Sequence, residues 1–172
     1  MEIETPHCIL EKIDSQIITS IFENEDRYAE TIFKKDTENY RKMYESGIDT
    51  YKTTLLFFLI IHKETNETIG ECGYHTWFPK HNRAEIYYKL NDDNYKRKGY
   101  LTEILPFVIK YGFKEMKLHR IEALVAPDNI PSLKLLKKNN FIFEGTLREH
   151  YFTNGVYENS EMYSLLAPDS NL

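Results

Sequence analysis

The chain has 172 residues, a formal net charge of −5, 41% hydrophobic residues and 28% charged residues, a balance ordinary for a globular protein with a real core. The acidic balance argues against general nucleic-acid binding, which needs Lys and Arg over a broad face, and no stretch reaches the roughly 20 apolar residues that span a bilayer. Cys8 and Cys72 belong to no paired motif, which fits a reducing, cytoplasmic setting; no secretory leader is read in "MEIETPHCILEKID", and histidine spacing gives no metal site.

"CILEKI", Cys8 to Ile13, reads as a short strand. Residues from about Ser15 to about Gly47 read as two or three polar helices, with Phe22, Tyr28, Ile32, Phe33, Tyr40 and Met43 as inward candidates. Leu55 to His62 is a buried strand, and "KETNET" turns into a second one, "IGECGYHTWF". "PKHNR" turns again into "AEIYYKL", Ala84 to Leu90, so the three runs make an antiparallel meander. A helix starting near Gly99 carries Leu101, Ile104, Leu105, Val108, Gly112, Phe113 and Met116 on one face. Pro106 should bend it.

"HRIEALVA", His119 to Ala126, is the next strand, followed by a helix across "SLKLLKKN". "FIFEGTLREHYF" and "YENSEMYSLL" form a terminal hairpin across "TNG". The sum is an α/β chain with a mixed, mostly antiparallel sheet and flanking helices. Its strand–helix–strand passage should be a right-handed crossover. No repeat or linker divides it, so residues 1–172 read as a single domain.

The three basic residues Lys96, Arg97 and Lys98 stand immediately before Gly99 at the start of that helix. Glycine admits close backbone approach, and successive N–H groups at a helix start form a nest for an anion. The spacing is neither that of a nucleoside-triphosphate loop nor that of a dinucleotide fingerprint. A charged turn capping a helix is the bland alternative.

From about Ala84 to Leu166 the chain resembles the GNAT N-acetyltransferases, and most closely the branch that acetylates ribosomal-protein N-termini. "KRKGYL" aligns with that family's pyrophosphate loop, Gln/Arg-x-x-Gly-x-Gly/Ala, and "LHRIEALVAPDNIPSLKLLKKNNFIFEGTLRE" is similar to a long segment of the branch. "NGVYENSEMYSLL" resembles its closing hairpin. The chain departs from the pattern at Tyr87, Lys96, Leu101, Asn140 and Asn159.

The resemblance implies acetyl-CoA as cosubstrate and no metal. Backbone N–H groups of Lys98, Gly99 and Leu101, in the turn that holds Tyr100, would meet the pyrophosphate, with charge from Lys96 and Arg97. The pantetheine arm would lie along Tyr87 to Leu90, where that strand splays from the next at a bulge. A backbone N–H near Tyr88 or Lys89 would meet the oxyanion, with Leu90 completing the strand and Asn129 bonding the arm from the far side. Many relatives place a proton-donating tyrosine where this chain has Leu136. Ser132 matches the serine used instead in this branch, with a helix cap as its bland alternative. Glu85 is the candidate general base, with Glu71, Tyr74 and His75 as rivals.

The implied activity is N-acetylation of a primary amine, such as a ribosomal-protein N-terminus. The alternatives are acetylation of a small amine (polyamine, aminoglycoside or amino acid), a CoA-binding module with little catalysis, and a non-enzymatic ribosome-associated protein. "FENEDRYAETIF" would help shape the acceptor site. The branch often dimerises, and the terminal hairpin is the candidate interface.

Overall fold

The computed structural model describes residues 2–13 and 54–170, with Thr54 and Leu55 by their backbone alone. The helices expected between Ser15 and Gly47, with their inward candidates and "FENEDRYAETIF", lie outside the described residues. Among those described, the strands are β1 (Glu2–Glu4), β2 (Cys8–Lys12), β3 (Thr54–His62), β4 (Thr68–Phe78), β5 (Arg83–Leu90), β6 (Arg120–Val125), β7 (Ile142–Thr153) and β8 (Val156–Leu166). The two α-helices among them are α1 (Tyr100–Lys114) and α2 (Ile130–Lys138). The strands form one sheet in the order β1-β2-β3-β4-β5-β6-β8-β7. Every pairing is antiparallel except β5 with β6, the two strands that α1 connects.

Side chains alternate across a strand, so one set of each strand's residues turns toward the helices. Leu10, Phe58, Ile60, Cys72, Tyr74 and Ile86 make that set, packed with Ile104, Leu105 and Val108 of α1 and Leu133 and Leu136 of α2. Each such side chain contributes roughly 1.5 to 3 kcal/mol by leaving water. Burial on α1 is wider than one stripe, because Ile109 and Tyr111 are also buried. The helix is unbroken through Pro106.

The parallel join is what opens the sheet. β5 and β6 pair only through Arg83 with Arg120, Ala84 with Ile121 and Glu85 with Glu122. Beyond Glu85 the two strands separate, as expected for a splayed pair. The bulge lies elsewhere: His75 pairs with Glu85 and Phe78 with Arg83, so β4 carries the extra residue, with Thr76 at φ +49°. A second irregularity sits in β7, where Leu147 pairs with Ser160 and Tyr151 with Glu158. Glu149 there has φ +52°, and its N–H donates to Oδ1 of Asn159 at 2.8 Å.

Two boundaries differ from expectation. β1 was not anticipated, and α2 begins at Ile130 because Asn129 caps it and Pro131 suits a first turn. The far end of α2 closes with Asn140 at φ +63° and the Phe141 N–H on the Leu136 carbonyl at 3.1 Å, a Schellman-type stop. Glycine fits that left-handed position best, so Asn140→Gly should stabilise the protein by up to about 1 kcal/mol in urea denaturation. A loss of stability would contradict this account of the stop.

Candidate active site

A cleft of about 770 Å³ starts at the β5–α1 loop, follows the gap between β5 and β6, and ends beside His75, Glu85 and Tyr151. Its near end is the basic loop. Asp92 caps a short 3-10 turn, Asp93–Tyr95, by accepting from the Asn94 N–H at 2.7 Å. Arg97 at φ +61° and Gly99 at φ +90° then curl the backbone into the start of α1. No side chain caps that helix, and the first bond into it runs from the Glu103 N–H to the Gly99 carbonyl at 3.0 Å. The N–H groups before it are available to an anion.

The cations differ in their commitments. Lys96 Nζ lies 2.5 Å from Asp93 Oδ1, and Lys98 stands 5.8 Å from the centre of the Tyr95 ring. Arg97 is exposed and makes no ion pair among the described residues. Leu101 lines the cleft but packs against the core, and Tyr100 bonds His62 Nε2 at 3.0 Å. A Cβ at Gly99 would meet nothing within 4 Å, so its positive φ is what calls for glycine. Gly99→Ala should therefore cost about 1 to 2 kcal/mol of backbone strain without a steric clash and, by turning the loop N–H groups away from the phosphates, weaken acetyl-CoA binding about tenfold, the equivalent of one charge-assisted hydrogen bond. Calorimetric titration checks this, and unchanged affinity would contradict it.

Along the gap, Tyr88, Lys89 and Leu90 form one wall and Ala123 to Ala126 the other, with Asn129 and Ser132 beyond. Asn129, not Ser132, is the helix cap: its Oδ1 accepts from the Ser132 N–H at 3.2 Å. Ser132 instead places its Oγ 2.6 Å from the Tyr88 hydroxyl. Leu136 is fully buried in the core.

At the far end Glu85 lines the cleft, with the Leu124 backbone N–H near enough to favour its ionised form. Burial and the neighbouring Glu122 carboxylate push its pKa up to about 7, against the smaller pull of that N–H. Glu122 is itself held by Arg83 at 2.6 Å and Arg120 at 2.7 Å. His75 Nδ1 lies 3.7 Å from Glu85, but burial lowers the imidazole pKa, so at neutral pH the contact is not an ion pair. Tyr151 joins this end from β7.

Of the rival bases, His75 lines the cleft, whereas Glu71 and Tyr74 do not. Glu71 is fully buried and accepts from the Tyr87 hydroxyl at 3.3 Å. Tyr74 turns to α1 and donates to the Val108 carbonyl at 2.8 Å. Tyr151 and the Tyr88 hydroxyl escaped sequence reasoning. A two-residue excess in β7 places the first and leaves no periodicity signal; the second was read only for its backbone. Among the described residues, no group of three or more His, Cys, Asp or Glu could hold a metal, and no helix could cross a membrane.

A family profile described as an acetyltransferase (GNAT) domain matches residues 9–142. An uncharacterized N-acetyltransferase, YoaA, of Bacillus subtilis is 33% identical over 96% of this chain and 97% of its own. The ribosomal-protein-serine acetyltransferase of Escherichia coli is 26% identical over 77% of this chain and 73% of its own. Solved structures that share the fold include the following three. A ribosomal-protein-S5-alanine acetyltransferase from Vibrio fischeri superposes with a TM-score of 0.74 at 22% identity, covering both chains fully. RimL, a ribosomal L7/L12 α-N-protein acetyltransferase in complex with coenzyme A, gives 0.74 at 18% over 99% of this chain and 100% of its own. A spermidine N-acetyltransferase from Vibrio cholerae gives 0.72 at 20% over 93% and 94%.

Proposed function

The chain belongs to the GNAT acetyltransferase family and is an N-acetyltransferase that uses acetyl-CoA, and on that premise we propose that its acceptor is a protein N-terminal α-amine, a ribosomal protein first among the candidates. The observation that carries this reading is Glu85, a carboxyl with pKa about 7 where β5 and β6 part. An attacking amine must lose a proton, and an α-ammonium has a pKa of about 8 against about 10.4 for an alkyl ammonium. Transfer to Glu85 is then uphill by about 1.4 kcal/mol for the first and roughly three times that for the second. The base suits the weaker amine.

The residues fit the donor. The turn at Gly99 leaves room and N–H groups for a pyrophosphate, the open edges of β5 and β6 accept an extended arm, and Ser132 would protonate the leaving sulfur. A second reading, a polyamine acceptor, is favoured by the same carboxylate and the Tyr87 and Tyr151 rings at the far end, which suit a cation. A single acetyltransferase domain over residues 1–172, a cytoplasmic setting and a homodimer belong to the proposal. The free buried thiols of Cys8 and Cys72 support the setting. The exposed Phe152 and Tyr157 of the hairpin support the dimer.

CoA-thiol release across N-terminal peptides of ribosomal proteins, spermidine and aminoglycosides tests the acceptor. Selective turnover of peptides is expected. Selective turnover of spermidine would replace the first reading by the second, and binding of CoA without turnover would leave a binding module.

A further inference from the structure

We propose that Tyr88 is the proton source behind Ser132, so that acid catalysis on the leaving thiolate comes from a hydroxyl pair built across the cleft. The inference rests on the N-acetyltransferase reading and goes beyond it in assigning Tyr88. The usual position for a tyrosine acid is filled by Leu136, which is fully buried and has no hydroxyl. Ser132 alone is a poor acid, because an aliphatic hydroxyl gives up its proton far less readily than a phenol with pKa about 10.

The structure supplies the phenol from the opposite wall. Tyr88 is on the helix-facing side of β5, opposite Cys72 in the β4–β5 ladder, and its hydroxyl meets Ser132 Oγ at 2.6 Å. That is the short end of the O–H···O range. Ser132 is held in place by its own N–H on Asn129 Oδ1, so the first turn of α2 aims the hydroxyl. Both residues line the cleft, where a leaving sulfur in the gap would lie beside them. Burial raises the Tyr88 pKa and Ser132 lowers it, with no charged group among the causes. The ionisable groups sharing the cleft are Lys89, Lys96, Arg97, Tyr95 and Tyr100 toward the loop, and His75, Glu85, Tyr87 and Tyr151 at the other end.

In the step, the amine nitrogen has bonded to the acetyl carbon, and as the oxyanion re-forms the carbonyl the carbon–sulfur bond breaks and its electron pair goes to sulfur. The Ser132 proton moves to sulfur, the Tyr88 proton moves to Ser132 Oγ, and water reprotonates the Tyr88 phenolate as CoA departs. The proton of the amine goes separately to Glu85.

Tyr88→Phe, Ser132→Ala, their double variant and Ser132→Thr test this, each with its melting temperature recorded. kcat and the KM for acetyl-CoA are measured from pH 6 to pH 10. Tyr88→Phe and Ser132→Ala should each lower kcat about a hundredfold with KM nearly unchanged at every pH in that range. The double variant should be no worse than the poorer single one, because the two hydroxyls act as a unit. Ser132→Thr should keep most of the activity. Unchanged kcat in Tyr88→Phe, a change confined to KM, or losses that multiply in the double variant would overturn the pair while leaving the acetyltransferase reading standing. Absence of turnover by the wild type with every amine would overturn both.

Discussion

Glu85→Gln should lower kcat/KM for acetyl transfer by about two to three orders of magnitude at pH 8 while making the protein more stable at that pH. The carboxylate sits at the point where β5 and β6 separate, and it is the form that can take a proton. With a pKa of about 7, wild-type activity should rise between pH 6 and pH 8, and the amide variant should lose that rise. The stability effect follows from the same shift. A carboxyl raised above its ordinary value holds its proton more tightly in the folded state. Its favourable contribution is complete below about pH 4.5 and is lost as pH climbs through about 7. Glutamine cannot ionise, so the variant should gain about 3 kcal/mol at pH 8 and nearly nothing at pH 4. Thiol-release kinetics and urea denaturation at both pH values check this. A variant that keeps the acid limb would move the base to His75, and equal stabilities at pH 8 would deny the buried charge.

Gly112→Ala should damage the fold, lowering stability by roughly 3 to 5 kcal/mol. Alanine favours a helix over glycine by about 1 kcal/mol, so an exposed position would gain. Here the new Cβ would lie 2.3 Å from the Tyr74 hydroxyl and 2.7 Å from its Cζ. Tyr74 is fully buried and its hydroxyl holds the Val108 carbonyl, so the ring has nowhere to retreat without losing that bond. Overpacking and an orphaned hydroxyl together outweigh the helix gain. The melting temperature should fall by on the order of 10 °C. Tyr74→Phe alone should cost about 1 kcal/mol, keep activity, and partly rescue the alanine variant. A stabilised alanine variant would mean that the ring and helix can separate freely.

The resemblance and the alternation of apolar residues made much of the sheet legible. "LLFFLII" and "AEIYYKL" became β3 and β5 near their expected bounds, and Asn154-Gly155, both at positive φ, turned the hairpin. The basic loop was readable because glycine and cations at a helix start have few other uses. Less legible was everything that depends on one residue of register. The extra residues near Thr76 and Glu149 leave no periodic mark, yet the second helps bring Tyr151 to Glu85. Ser132 was weighed as a cap because serine is a preferred cap and "PDNIPS" precedes a helix; the side-chain bond on Asn129 shows that Asn129 serves instead. The pairing of Tyr88 with Ser132 joins residues far apart in the chain, and only the fold brings them together.

The central claim is that the acetyl donor enters the gap between β5 and β6 with its phosphates on the turn at Gly99. Amide hydrogen exchange with and without acetyl-CoA tests it most directly. Slower exchange across Ile86–Leu90 and Lys98–Thr102, with the Asn154-Gly155 turn unchanged, is the expected result. Saturating acetyl-CoA that protects neither stretch would contradict it.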